Sequence, residues 1–459
     1  MTSAILLIPI YWHRRIEAGD LASHVYNAWL VHLIHRGQAP GLWIAQQWNN
    51  ILFDVILSGF GDIFGLRVAE RIAVSCAVMI FFWGAFALIA AATRRTPWVL
   101  SPVIAIFTYG WTFEMGLMNY YISLGLSFFA LAAFWRSAGR RRLIPFVLVP
   151  FIWMAHPLGV IWLFGSAGYI ILAEIMRPRH QGFLLMAAGA FLIIVRVFLT
   201  SNYRVGWPDK PFFLYNGADQ LVLFGSRYYL PAGLFIAFAL WALAIDASSD
   251  ERVSNFWPVY RLPLELYGVV GMASVVLPSS VALPHFNAPI SLLTQRLSSL
   301  LGILACCILG TMKPRKWHLM GYTLSAAIFF FYLYQDTGIV NQMEEQVERS
   351  VATLPPGRQV LSTIRPPAGS RIVIQHIVDR ACIGHCFSFE NFEPDTGLFR
   401  VRAMPGNTIV VTTTPISPTE QSHKNAVQSI VPPAFEIYLC GAGMSNVCVR
   451  ELSSGRPSS

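Results

Sequence analysis

The sequence predicts a mostly α fold: a polytopic transmembrane helix bundle of about eleven spans, carrying a small, mostly β extracytoplasmic domain at its C-terminal end. Three observations carry this expectation. Of the 459 residues 55% are hydrophobic and only 12% charged, about half the charged fraction of a soluble domain, so most of the surface does not face water. Long apolar runs alternate with short basic clusters over residues 1–335, and from Asp336 onward the composition turns polar. The formal net charge of +9 does not indicate nucleic acid as a partner, because the cations lie in loop clusters rather than in a stripe.

The first apolar run, Ala4 to Trp12, is short for a span, which needs ~20 residues; arginines at positions 14 and 15 would snorkel at its end. No small-residue cleavage site follows, so the run reads as an anchor rather than a leader. Residues 17–70 hold too many polar groups to sit in lipid, which makes about 13–70 a large first outside loop. Spans are then expected at about 71–93, 98–113, 115–135, 143–155, 157–176, 182–200, 228–247, 264–279, 292–311 and 318–335. Loop charge sets their orientation. Arg94, Arg95, Arg140, Arg141, Arg142, Lys313, Arg315 and Lys316 fall in one set of loops, whereas the alternate short loops hold only Arg204, Lys210 and Arg227. By the positive-inside rule the first set is cytoplasmic, which requires a break at His156 and places the C-terminus outside, in a cell (inner or plasma) membrane.

The domain division is therefore 1–335 in the membrane and 336–459 outside it. Residues 336–350 read as a polar helix ended by Pro355-Pro356-Gly357, followed by strand-like runs at Arg371–Gln375 and Asn407–Thr412. Cys76, Cys306 and Cys307 lie in apolar runs and read as packing. Cys382, Cys386, Cys440 and Cys448 lie in the tail, where two disulfides of undetermined pairing are expected; a zinc site built on Cys382-x-x-x-Cys386 is the rival.

Chemistry concentrates in the outside loops. Asp20, Ser23, His24 and Asn27 recur at i, i+3, i+4 and i+7, one polar ridge on a helix whose other face holds Leu21, Val25 and Leu30. Asp20 is equally a good N-terminal cap. A carboxylate beside an imidazole at a membrane surface otherwise suits abstraction of a hydroxyl proton or binding of a divalent ion. Trp43 and Trp48, with nearby amides, offer sugar-compatible stacking, or an interfacial belt. Glu114 and Asn119 enter at the second outside turn, His156 at the third, and His285 and Asn287 precede Arg296, whose guanidinium either snorkels or clamps a phosphate. In the expected topology these residues share one membrane face.

The short opening span, the Gly19-Asp20-x-x-Ser23-His24 helix, the Phe113-Glu114-Met115-Gly116-Leu117-Met118-Asn119-Tyr120 segment, the His156-Pro157 turn and the Arg296-bearing late span together resemble the GT-C-type membrane glycosyltransferases, over roughly residues 10–330. The resemblance is architectural. It implies a polyprenyl-phosphate-linked sugar donor, an extracytoplasmic acceptor (glycan, lipid or protein), membrane lipid as surroundings, and catalysis by Asp20, His24 and Glu114. It further implies a donor-phosphate contact from Arg296, and the outside-loop residues Asn27, Trp43, Trp48, Asn119, His156 and His285 are the other candidate substrate contacts. No acidic pair follows Asp20, although Glu17 lies one turn before it; a divalent cation (magnesium or manganese) held by Asp20 and Glu17 is the one cofactor this pattern admits. The tail resembles no domain of known activity. Two other function classes remain: a transporter or lipid flippase, which inverted repeats would mark, and a non-enzymatic scaffold acting through its tail.

Overall fold

The computed structural model describes residues 1–177, 180–208, 215–247, 256–284, 286–313, 315–365, 370–372, 374, 376–389, 391, 393–405, 407–410, 434–440 and 446–452. The chain is mostly helical. Among the described residues five helices are long and apolar enough to cross a membrane, as α4, α7, α9, α10 and α11 below. In order, helix α1 (Thr2–Tyr11) precedes α2 (Leu21–His35), strand β1 (Leu42–Ile44), α3 (Leu52–Phe64) and α4 (Leu66–Thr93). Then come α5 (Ser101–Thr108), α6 (Trp111–Glu114), α7 (Met118–Arg136), α8 (Val149–Ala155), α9 (Pro157–Ile175) and α10 (Gln181–Asn202).

The apolar character of these helices, not an amphipathic stripe, explains where they sit. α10 has the high mean hydropathy of 2.4 yet almost none of it is buried inside the protein, so its Phe191, Ile194 and Phe198 face outward. Such a surface is compatible with lipid, not with water. α4 and α7 form the central pair. A Cβ at Gly84 would lie 2.3 Å from the Gly125 carbonyl oxygen, so absent side chains let the two backbones touch. Beside this crossing Phe81 stacks on Tyr121 at 4.3 Å.

Two expected spans are not continuous helices. Residues 98–113 break into a 3-10 turn, the eight-residue α5 and the four-residue α6, with the extended Gly110 between the last two. Residues 143–155 begin in a 3-10 helix (Gly139–Leu148) that contains Pro145 and continue as the seven-residue α8. Neither stretch keeps throughout the i→i−4 ladder that a uniform apolar run suggests.

The second half adds strand β2 (Arg204–Gly206), α11 (Tyr229–Ala247), α12 (Phe256–Val276), β3 (Ser280–Ala282) and α13 (Leu293–Leu309), with β2 and β3 antiparallel. A single 37-residue helix, α14 (Lys316–Ala352), joins the last apolar run to the expected polar helix. Beyond it lie β4 (Gln359–Ser362), α15 (Ile377–Cys382), β5 (Phe387–Ser388), α16 (Glu393–Thr396), β6 (Val401–Ala403), β7 (Ala434–Leu439) and β8 (Val447–Leu452).

The sheet β5-β4-β7-β8 has parallel pairs around β4 and an antiparallel β7–β8 pair. Neither strand-like run of the sequence is a strand over its described residues. At 371–374 tertiary contacts prevail instead: the Arg371 backbone N–H donates to the Leu223 carbonyl at 2.9 Å, and Ile372 and Ile374 are buried. Disulfides link Cys382 to Cys386 and Cys440 to Cys448, which settles the pairing and leaves Cys382 and Cys386 as covalent partners rather than zinc ligands.

The tail does not stand apart from the first loop. Tyr26, Leu30, Val31 and Leu42 share one core with Val347, Val360, Ile377 and Val378. β1 pairs with β6, Trp43 opposite Arg402, and Gln47 bonds the Leu398 carbonyl and accepts from Arg402. A buried ionic junction fixes this body to the helices. Arg15 contacts Glu344 at 3.4 Å, while Arg380 reaches Glu344 at 3.6 Å and Glu70 at 3.4 Å.

Candidate functional site

An open cavity lies where the start of α2, the α6–α7 turn, the start of α9, α13 and the α16 segment meet. Asp20, His24, Asn119, Tyr120, His156 and Arg296 line it, joined by Glu393 and Phe399. The space between these residues, the solvent at its open mouth included, is about 370 Å³.

Local backbone geometry sets the first wall. Asp20 is the N-cap of α2, but its side chain makes no capping bond, so the carboxylate is available to the cavity. Gly116 makes this possible. It has φ +76°, and a Cβ there would lie 2.5 Å from the Asp20 and Leu21 backbone nitrogens. Only glycine lets the α6–α7 turn approach that closely, and the Asp20 N–H then donates to the Met115 carbonyl at 3.0 Å.

The polar ridge of α2 is buried against two other segments. His24 Nδ1 lies 2.7 Å from Asp54 Oδ1 on α3, and Asn119 Nδ2 donates to Asp54 Oδ2 at 2.8 Å. Asn119 Oδ1 accepts the Phe53 N–H at 2.8 Å. Asn27 donates to Ser23 and to Glu393, and its carbonyl accepts from Asn391 at 2.9 Å. Burial alone would lower the His24 pKa. The Asp54 charge and hydrogen bond outweigh it and raise the value to about 9, while the same pairing lowers Asp54 against its own burial. At neutral pH His24 is therefore a cation, not a proton acceptor.

A second imidazole stands behind Asp20. His376 Nε2 is 3.7 Å from Asp20 Oδ1, and its Nδ1 is 2.7 Å from Asp379, which also accepts from Ser388. Burial pulls His376 down, but Asp379 and then Asp20 bring it up to about 9. Glu393 is pushed up by burial and pulled back by His24 and His376, which leaves it at about 7.

On the opposite wall Arg296 Nη1 is 3.4 Å from His156 Nε2, and the guanidinium lies over the Tyr120 ring at 5.7 Å. Tyr120 donates its hydroxyl to the Arg296 carbonyl at 2.7 Å. Burial and then the Arg296 charge hold His156 well below the ordinary histidine value. Among the described residues no carboxylate lies within ion-pair distance of Arg296, and its Nε is buried without a hydrogen-bond partner.

Of the residues singled out in the sequence, Asp20, His24, Asn119, His156 and Arg296 meet in this cavity, and Asn27 sits directly behind it. The others do not. Glu114 is buried away from the cavity; burial and then the like charge of Asp336 raise its pKa well above the carboxylate range. Trp43 packs beneath Arg402, and Trp48 is 73% exposed. His285 lies outside the described residues; nearby Asn287 bonds the Asp395 carbonyl at 2.7 Å. Glu17 turns away from Asp20 to accept from Asn341 at 2.8 Å beside Glu344 and Arg380, so this pair does not converge on a shared ion. Among the described residues no three His, Cys, Asp or Glu side chains are grouped as a metal site.

Asp54, Glu393, His376 and Asp379 are the members that local sequence reading missed. The acidic run Glu393-Pro394-Asp395 and the His376-x-x-Asp379 spacing were visible, but nothing local ties them to residues 20–27. Comparison with family models, with characterised proteins and with solved structures finds no match to this chain.

Proposed function

We propose that the chain is a membrane glycosyltransferase that moves a sugar from a polyprenyl-phosphate-linked donor to an acceptor hydroxyl. One observation carries the reading: a carboxylate, Asp20, faces an acid-free guanidinium, Arg296, across an open cavity bordered by apolar helices. The cavity's cations, Arg296 and protonated His24, suit a phosphate, and Arg is the side chain best shaped to hold one. Asp20 takes the proton of the accepting hydroxyl. The bond from sugar C1 to the phosphate oxygen breaks, its electron pair stays on the phosphate, and the new C1–O bond forms. Protonated His376, backed by Asp379, steadies the Asp20 carboxylate before transfer.

The loop charges support about eleven spans, with this cavity and the 336–459 segment on the extracytoplasmic side. Asp20 and Glu17 do not fit a shared divalent ion, so no step runs through a metal.

The test uses full-length protein in lipid nanodiscs with polyprenyl-phosphate-linked sugars. Asp20→Asn is expected to lower kcat by roughly 10²–10⁴ with donor binding retained, and Arg296→Ala to weaken binding of the polyprenyl phosphate. Full turnover in Asp20→Asn would remove the assignment.

A further inference from the structure

Behind Glu393 lies a second cleft. Asn27, Asp54, Ser58, Glu393, Phe399 and Arg400 line it, and Glu393 and Phe399 belong to both clefts. The two thus adjoin at the C-terminal segment. Asn27 and Glu393 bond each other and Asp54 is held by His24 and Asn119, which leaves two polar groups of this cleft open, Ser58 and Arg400. Ser58 Oγ is buried with no hydrogen-bond partner. Among the described residues Arg400 has no carboxylate within ion-pair distance, although Asp54 feels its charge.

This array restricts the ligand. An anion would meet Asp54 and Glu393, and a cation would meet Arg400. A purely apolar ligand would leave the Ser58 hydroxyl unmet, at a cost of about 1–3 kcal/mol. A neutral molecule rich in hydroxyls meets both open groups, bonding the Ser58 hydroxyl and accepting from Arg400, with its C–H face on Phe399.

We propose that this second cleft is an acceptor site for an uncharged, polyhydroxylated sugar chain, and that Glu393 marks the junction at which its hydroxyl reaches the first cavity. The assignment rests on the transferase reading for its role, but the binding it describes is measurable without turnover. It gives the C-terminal segment a direct part in recognition rather than that of an appended module.

The experiment is saturation-transfer NMR on the full chain in nanodiscs, with mannose and arabinose tetrasaccharides as probes. At least one is expected to bind the wild type. Ser58→Trp, which fills the cleft, and Arg400→Ala, which removes the one cation among its described lining residues, should each raise Kd tenfold or more. Arg296→Ala should leave tetrasaccharide binding within twofold while weakening polyprenyl phosphate. Absence of binding of either sugar, or equal binding by wild type and a folded Arg400→Ala, overturns the acceptor site. Tetrasaccharide binding lost equally in Arg296→Ala overturns it also, by showing one cleft rather than two. Turnover retained in Asp20→Asn instead removes the transferase reading and leaves the sugar-binding result standing.

Discussion

The pairing of His24 with Asp54 makes the most quantitative claim. The imidazole is almost fully buried and its pKa is raised from 6.5 to about 9. At about 1.4 kcal/mol per factor of ten, that difference is on the order of 3 kcal/mol. The folded value lies above the unfolded one, so the stabilisation is fully present below pH ~6.5 and is lost as pH rises through about 9. A double-mutant cycle isolates it: wild type, His24→Gln, Asp54→Asn and the double variant, each unfolded thermally in detergent from pH 6 to 10. Groups that titrate elsewhere, such as His376, cancel in the cycle. The expected coupling is roughly 3 kcal/mol at pH 6, falls steadily from about pH 6.5 to 9 and is largely gone above that. A coupling under about 1 kcal/mol at pH 7 would place the pair among weak, solvent-screened contacts. A coupling unchanged to pH 10 would refute the charged-imidazole assignment.

Two other substitutions probe how the site is held. Arg380→Met removes a cation from between Glu344 and Glu70; breaking such a buried pair from one side typically costs about 3–5 kcal/mol. Thermal unfolding should show that loss, and adding Glu344→Gln should restore part of it; an unchanged midpoint would contradict the junction. Gly116→Ala puts a methyl 2.5 Å from the Asp20 nitrogen. It should therefore weaken transfer at least as much as it weakens stability, whereas wild-type kcat in this variant would show that the turn does not position Asp20.

Much of the architecture was legible in the chain. Apolar runs over 71–93, 115–135, 157–176, 182–200 and 228–247 became long apolar helices, because side chains that all favour lipid need no partner to declare their environment. The ridge Asp20–Ser23–His24–Asn27 was also readable, since helical spacing alone puts those residues on one face. The runs at 98–113 and 143–155 were read as continuous because hydropathy does not register where an extended Gly110 parts two helices or where a Pro145-bearing stretch winds as a 3-10 helix.

The site itself was only half visible. Asp20, Asn119, His156 and Arg296 each stood out as polar groups beside apolar runs. Asp54 did not, because in a linear reading it is one acid in a polar loop, and it becomes a partner only when α3 packs beside α2. Glu393 and His376 were out of reach for a stronger reason. The sequence by itself determined a helical chain of long apolar runs compatible with a membrane, a tail bearing four cysteines and an acid-bearing first loop. Tertiary structure alone decided that the tail closes over that loop, because the shared core of Tyr26, Leu30, Val360 and Val378 forms only when segments far apart in the chain bury their apolar faces together. That burial carries two charged groups from the tail to the edge of one cavity.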